Sequence, residues 1–314
     1  MQGAAKSPSR GVETAKLTNR IYPAALKVAL ALAGLGLLGV ATVASPAWAQ
    51  SAGSTTAQAS PNEAASRAFN LGDYQTARQL WEQQAAANDP EAINNLGILY
   101  QKGIGVEQDV EKAQSLYLRA ANLGFTNAQV NLGNLYFNSE GVDENLKEAA
   151  RWYTAAARGG HLRAQYYLAQ MYDHGDGVDE DHSTALKWYV SAADGGLPEA
   201  KYVVGRMLLT GDGLKQDQAK SLPYLLDAAT AGVAQARALL GQAYADGLGT
   251  EPNPIQAYIW LSLALDNLPP GQAQQKAFKT LRRVEADMSQ DETAAAKRLL
   301  ARKEARSNQA AQPQ

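Results

Sequence analysis

Cysteine is absent from all 314 residues, so the chain can build neither a disulfide framework nor a thiolate metal site, and it has no cysteine nucleophile. Histidine is scarce: His161, His174 and His182 are the three in the chain, and none belongs to a recognisable catalytic motif. Phenylalanine is scarce too, with four residues against 14 tyrosines. A basic excess is also missing, since 29 Lys and Arg face 31 Asp and Glu. Nucleic-acid phosphates require a basic patch, so this balance argues against such a partner. What is present is Ala, Leu, Gln and Tyr, with a hydrophobic fraction of 46%, which excludes disorder for most of the length and points to small helices in close contact.

The first 49 residues form a separate segment. Lys6, Arg10, Lys16, Arg20 and Lys27 precede an uncharged apolar run from Val28 to Ala44, after which Ser45-Pro46 breaks the run and Ala47-Trp48-Ala49 offers a small-x-small cleavage site. The pattern predicts a signal peptide over 1–49, cut between Ala49 and Gln50, and a periplasmic or secreted mature chain. The alternative is an inner-membrane anchor facing the periplasm, because the run approaches the ~18 to 20 apolar residues of a spanning helix. Only an uncleaved N-terminus would then touch the membrane. Cleavage removes five basic residues and one acidic residue, leaving 24 basic and 30 acidic, a net of −6.

A 36-residue period organises the rest. Ala recurs at 92, 128, 164, 200 and 236, followed four residues later by Leu96, Leu132, Leu168, Val204 and Leu240, and eight later by Tyr100, Tyr136, Tyr172, Leu208 and Tyr244. Offsets of four and eight share one helix face. A second set, Ala113, Ala149, Ala185, Ser221 and Ala257, each followed three residues later by Leu116, Trp152, Trp188, Tyr224 or Trp260, marks a second helix. Gly103, Gly175, Gly211 and Gly247 stand where the first helix needs a left-handed terminus, with Ser139 as the exception, and Asp109, Asn145, Asp181, Asp217 and Asn253 stand at the N-cap of the second. Asn88, Gly124, Gly160, Gly196 and Gly232 mark the turn to the next unit, and Pro90, Pro198 and Pro254 open helices.

The unit A-x₃-L-G-x₂-Y-x₂-G-x-G-V, continuing through Lys112-Ala113 to Ala120-Ala121, resembles the Sel1-like repeat, a relative of the tetratricopeptide repeat. The resemblance implies an all-α fold: a right-handed solenoid superhelix of stacked antiparallel hairpins. The expected boundaries are a flexible linker over 50–61, a tetratricopeptide-like capping repeat over 62–91, five Sel1-like repeats over 92–271, capping helices over 272–306 and a disordered tail over 307–314. Such hairpins cannot bury their apolar faces alone and depend on stacking, so Trp81, Trp152, Trp188 and Trp260 are expected between helices.

No reaction centre is apparent, and neither a cofactor nor a metal is expected. The Gly-x-Gly pairs follow helices rather than strands and lack the third glycine of a dinucleotide fingerprint. The loop Asp173 to His182 is dense in oxygen ligands, but it lacks EF-hand spacing, and capping of the next helix by Asp181 accounts for its acids. His161 reads as a solvated turn residue.

A partner would sit on the concave surface lined by the first helices. Offsets of three, six and ten from the repeat Ala fall opposite the core when each residue turns 100°. That stripe carries Asn95, Lys102, Asn131, Asn134, Asn138, Tyr167, Gln170, His174, Arg206 and Thr210. Its amides and phenol suit the backbone of an extended peptide, or glycan hydroxyls. The resemblance implies a non-catalytic envelope scaffold that binds a protein or peptide there. The competing readings are a hydrolase acting on cell-wall or β-lactam substrates, for which the disulfide-rich relatives offer a poor match to a chain without cysteine, and a scaffold for peptidoglycan or envelope polysaccharide.

Overall fold

A computed structural model describes residues 60–138 and 145–310. Within them lie fourteen helices and no strand. The segment 1–49, most of the expected linker and Ser139 lie outside the described residues. A short hairpin, α1 (Pro61–Asn70) and α2 (Tyr74–Ala86), comes first. Five hairpins of nearly constant length follow: α3 (Pro90–Lys102) with α4 (Val110–Asn122), α5 (Thr126–Asn138) with α6 (Leu146–Arg158), α7 (Leu162–His174) with α8 (His182–Asp194), α9 (Pro198–Thr210) with α10 (Gln218–Thr230), and α11 (Ala234–Asp246) with α12 (Pro254–Leu265). Two closing helices are α13 (Gln272–Asp287) and α14 (Gln290–Ala310). Two boundaries differ from expectation. A capping box between Ser60 and Glu63 starts α1 inside the expected linker, and α14 runs four residues into the expected tail.

The polar punctuation sets the helix ends. The side chains of Asp109, Asn145, Asp217 and Asn253 each accept a hydrogen bond from the backbone N–H three residues on, at 2.9 to 3.1 Å. Gly103 takes φ 66° at the C-terminus of α3, and Asn88 takes φ 63° where the other inter-unit turns have glycine. Asparagine is among the few side chains that tolerate this region.

Packing follows chain order. Within the five repeats each helix packs on its hairpin partner and on an adjacent unit, and the buried clusters straddle neighbouring units. Trp81, Trp152 and Trp260 are buried, as the spacing predicts, and Trp188 is half-buried. The residue that seats inside each hairpin is one position later: Tyr117, Tyr153, Tyr189, Leu225 and Leu261 are all buried. Four of these meet a first-helix glycine, at 97, 133, 205 and 241, while Ala169 stands at that position in the third unit.

Near the C-terminus of these second helices the carbonyls of Ala85, Ala121, Ala157 and Ala229 each accept a backbone N–H from the following turn and keep a second lone pair for a side-chain donor. Gln129 Nε2 donates to Ala121 O at 3.3 Å, Gln165 Nε2 to Ala157 O at 3.2 Å, and Arg237 Nε to Ala229 O at 3.0 Å. Ile93 occupies the same position in the first unit and cannot donate. There Arg119 reaches across from α4, with Nη2 at 2.6 Å from Ala85 O. Stacking is therefore polar at its rim as well as apolar at its centre.

Candidate functional site

The first helices α3, α5, α7, α9 and α11 carry the stripe that the periodicity selects, and the structure divides it. Across the first three units its members are linked. Asn131 Nδ2 donates to Asn94 Oδ1 at 2.9 Å, and Asn94 Nδ2 lies 3.4 Å from Asn95 Oδ1. Asn94 is 4% exposed, so this contact joins two units through a buried amide. Tyr153 O–H donates to Asn134 Oδ1 at 2.7 Å. The Tyr153 ring then lies 5.3 Å from that of Tyr167, which lies 6.0 Å from Tyr166, which in turn lies 5.7 Å from Tyr189. Gln170 Nε2 donates to Tyr166 O–H at 3.4 Å, and His174 Nδ1 is 2.7 Å from Gln170 O. Asn138 is half-buried at the end of α5, whereas Lys102 and His174 are exposed at the ends of α3 and α7.

The fourth unit does not join this array. Arg206 Nη1 pairs with Asp212 Oδ2 at 3.1 Å. Thr210 Oγ1 donates to Arg206 O at 3.0 Å and accepts from Asp212 N at 3.3 Å. Both side chains therefore hold the loop that follows α9. The periodicity does not single out Asn94, Tyr153 or Tyr166. The recurring glycine and tyrosine positions do point to Tyr153, because a first-helix glycine makes room for the ring twenty residues later.

Electrostatics leave these phenols neutral. Burial is the first cause that pushes Tyr166, Tyr167 and Tyr189 above the ordinary tyrosine value, and Glu199 adds to the shift at the first two. The array can therefore donate and accept hydrogen bonds and offer ring edges, which is the chemistry of holding rather than of proton transfer.

Two histidines depart from or sharpen the sequence reading. His161 is half-buried and caps α7, its Nδ1 accepting from Ala164 N at 3.3 Å, so it is not a solvated turn residue. Its pKa is lowered, first by burial and then by Arg163. His182 Nδ1 lies 2.8 Å from Asp173 Oδ1 and its Nε2 lies 3.1 Å from Glu180 Oε1, so the acids of this loop surround an imidazole. Asp181 accepts from Ser183 N and Thr184 N at 3.0 and 3.1 Å, the cap its sequence position predicts. Among the described residues no group of three or more histidines and carboxylates is arranged to hold a metal ion. A shallow depression of about 720 Å³ lies off the stripe, between Arg78 and the segment Val106 to Glu111.

The Sel1 repeat profile matches five consecutive segments, 90–125, 126–161, 162–197, 198–233 and 234–267, each of which is one hairpin of the structure. The chain belongs to the Sel1-repeat family. A Sel1 repeat protein from Oxalobacter formigenes is similar at 28% identity, over 72% of this chain and 100% of its own, with a TM-score of 0.62. A protective antigen present in uropathogenic Escherichia coli strains, which displays an SLR fold, is 24% identical over 81% of this chain, with a TM-score of 0.53. This chain covers 64% of that antigen, just under two thirds of its length. No curated protein matches the sequence. The Sel1 solenoid is thus shown twice, by sequence profile and by fold, and its architecture is that of an interaction scaffold.

Proposed function

We propose that this Sel1-repeat chain is a non-catalytic adaptor of the bacterial cell envelope, and that it holds an extended peptide or protein segment along the first-helix stripe of its first three repeats. The observation that carries this reading is the run of amides and phenols along the first helices from Asn95 to Gln170, which is tied across repeat boundaries at Asn131–Asn94 and Tyr153–Tyr167. An extended backbone offers a donor and an acceptor per residue, and a row of neutral amides and phenols can match both. The envelope address rests on the basic segment, the apolar run and the Ala-x-Ala site of residues 1–49.

Asn131 and Asn134 are poor probes, because their substitution would also disturb Asn94 and Tyr153. Better probes are photo-crosslinking side chains at Gln170 and Lys102, with Leu118, exposed on α4, as the control. In living cells the stripe positions should crosslink to one protein species, with little product from Leu118. Crosslinks from Leu118 alone, or none from the stripe, would reject the assignment.

A further inference from the structure

The closing helices differ from the repeats in charge. Residues 50–271 contain 15 basic and 25 acidic residues, a net of −10, whereas 272–306 contain nine basic and five acidic, a net of +4. Four of the five acids of this segment, Glu285, Asp287, Asp291 and Glu292, lie near its turn, and the fifth, Glu304, stands beside Arg302 and Lys303; Lys276 and Lys279 stand toward the far end of α13, and Lys297 and Arg302 in the middle of α14. These four cations are exposed and have no ion-pair partner among the described residues. Their neighbours are committed elsewhere: Arg282 pairs with Glu285, Arg283 with Asp246, and Lys303 lies 4.0 Å above the Trp260 ring.

The same two helices carry two apolar side chains that the fold leaves uncovered. Phe278 is 54% exposed and Leu299 is 42% exposed. Both have buried helix neighbours, Ala277 and Leu281 on α13 and Ala296 on α14, so the helices already have an inner face and these two residues lie outside it. α13 packs on α11 and α12, and α14 on α12.

From this arrangement we propose that the α13–α14 cap is a peripheral docking surface for an anionic phospholipid bilayer. Cations satisfy the headgroup phosphates while Phe278 and Leu299 enter the interface beneath them. A second copy of the chain is a poor occupant, because a two-fold contact would bring like charges together. The acidic repeats do not prevent docking. Electrostatic range is about 10 Å at 0.1 M salt, roughly the spacing of packed helices, so charge beyond the nearest unit is screened. Among the described residues no helix is long and apolar enough to cross a membrane, so the contact is superficial.

The absence of cysteine allows a direct test in the full chain. An environment-sensitive fluorophore is attached at Ala301→Cys on α14 or, as a control, at Asn127→Cys on α5, and the protein is mixed with vesicles of phosphatidylglycerol or of phosphatidylcholine. The Ala301→Cys label should shift to the blue with phosphatidylglycerol alone, and the control label should not. Combining Lys276→Gln, Lys279→Gln, Lys297→Gln and Arg302→Gln should weaken the response at least tenfold with helicity by circular dichroism unchanged. Phe278→Ser with Leu299→Ser should do the same. No shift at 301, an equal shift at both sites, or a shift that survives both sets of substitutions overturns the proposal. So does a response to an acidic helical peptide but not to vesicles. None of these outcomes bears on peptide capture by the first-helix stripe, which is assayed separately.

Discussion

Tyr117 lies so close to Gly97 that a Cβ on the glycine would stand 2.6 Å from Tyr117 Cε1. The ring is fully buried, and its hydroxyl donates to Gln101 Oε1 at 2.7 Å, so it is fixed at both ends. This pair sets the spacing of the first hairpin, and Gly133 with Tyr153 repeats it in the second at 2.7 Å.

Gly97→Ala therefore tests the packing by the sign of its effect. Helix propensity alone favours Ala over Gly by about 1 kcal/mol in a helix interior. Overpacking against a buried ring costs about 1 to 3 kcal/mol, and the clash should win. We expect Gly97→Ala and Gly133→Ala to lower the midpoint of urea unfolding. A rise in the midpoint would show that the ring moves aside.

The two perturbed histidines should respond oppositely to pH. The pKa of His161 is lowered from 6.5 in the folded state. Its contribution is present above about 6.5 and is lost as pH falls through the folded value, because the unfolded chain binds the proton more readily. His182 is raised from 6.5, first by its hydrogen bond with Asp173. Its contribution is complete below about 6.5 and is lost as pH rises through the folded value. His161→Asn, which keeps a capping oxygen without titrating, should reduce the loss of stability between about pH 6.5 and 5. His182→Gln should remove part of the loss above about pH 6.5. Melting curves across that range decide both, and parallel pH profiles for wild type and variant would contradict the assignment.

The donors at the repeat junctions should rank by what they satisfy. Arg119 Nη2 bonds the Ala85 carbonyl at 2.6 Å and Asn88 Oδ1 at 2.6 Å, where Ile93 cannot serve. Lys201 instead pairs with Asp227, whose side chain is 58% exposed. Arg119→Ala should cost about 1.5 kcal/mol or more, as charge-assisted bonds to a helix end do. Lys201→Ala should cost about 1 kcal/mol or less, as exposed ion pairs do. Equal denaturation midpoints for the two variants would refute the ranking.

The hairpin boundaries were legible because each rests on a local backbone requirement. Gly103 supplies a left-handed terminus and Asp109 a capping oxygen, and neither depends on distant residues. Contacts between units were harder to read. Tyr117 and Leu116 differ by one position and 100° of rotation, and which of them faces the partner helix depends on how the helices cross. The stripe itself came from angles taken one helix at a time. That view cannot register the loop after α9, which returns Asp212 to Arg206 and removes the fourth unit from the array. His161 reads as a solvated turn residue in the sequence because an imidazole that caps a helix leaves no compositional mark.

Excision of whole repeats tests the central claim, that the first three units hold the partner, most directly. Removing 162–197 or 198–233 deletes one 36-residue hairpin in register and should leave a helical, cooperatively folded chain in both cases. The account predicts that loss of 162–197, which carries Tyr166, Tyr167 and Gln170, abolishes capture of the crosslinked partner, whereas loss of 198–233 preserves it. A folded chain that still captures the partner without 162–197 would contradict it.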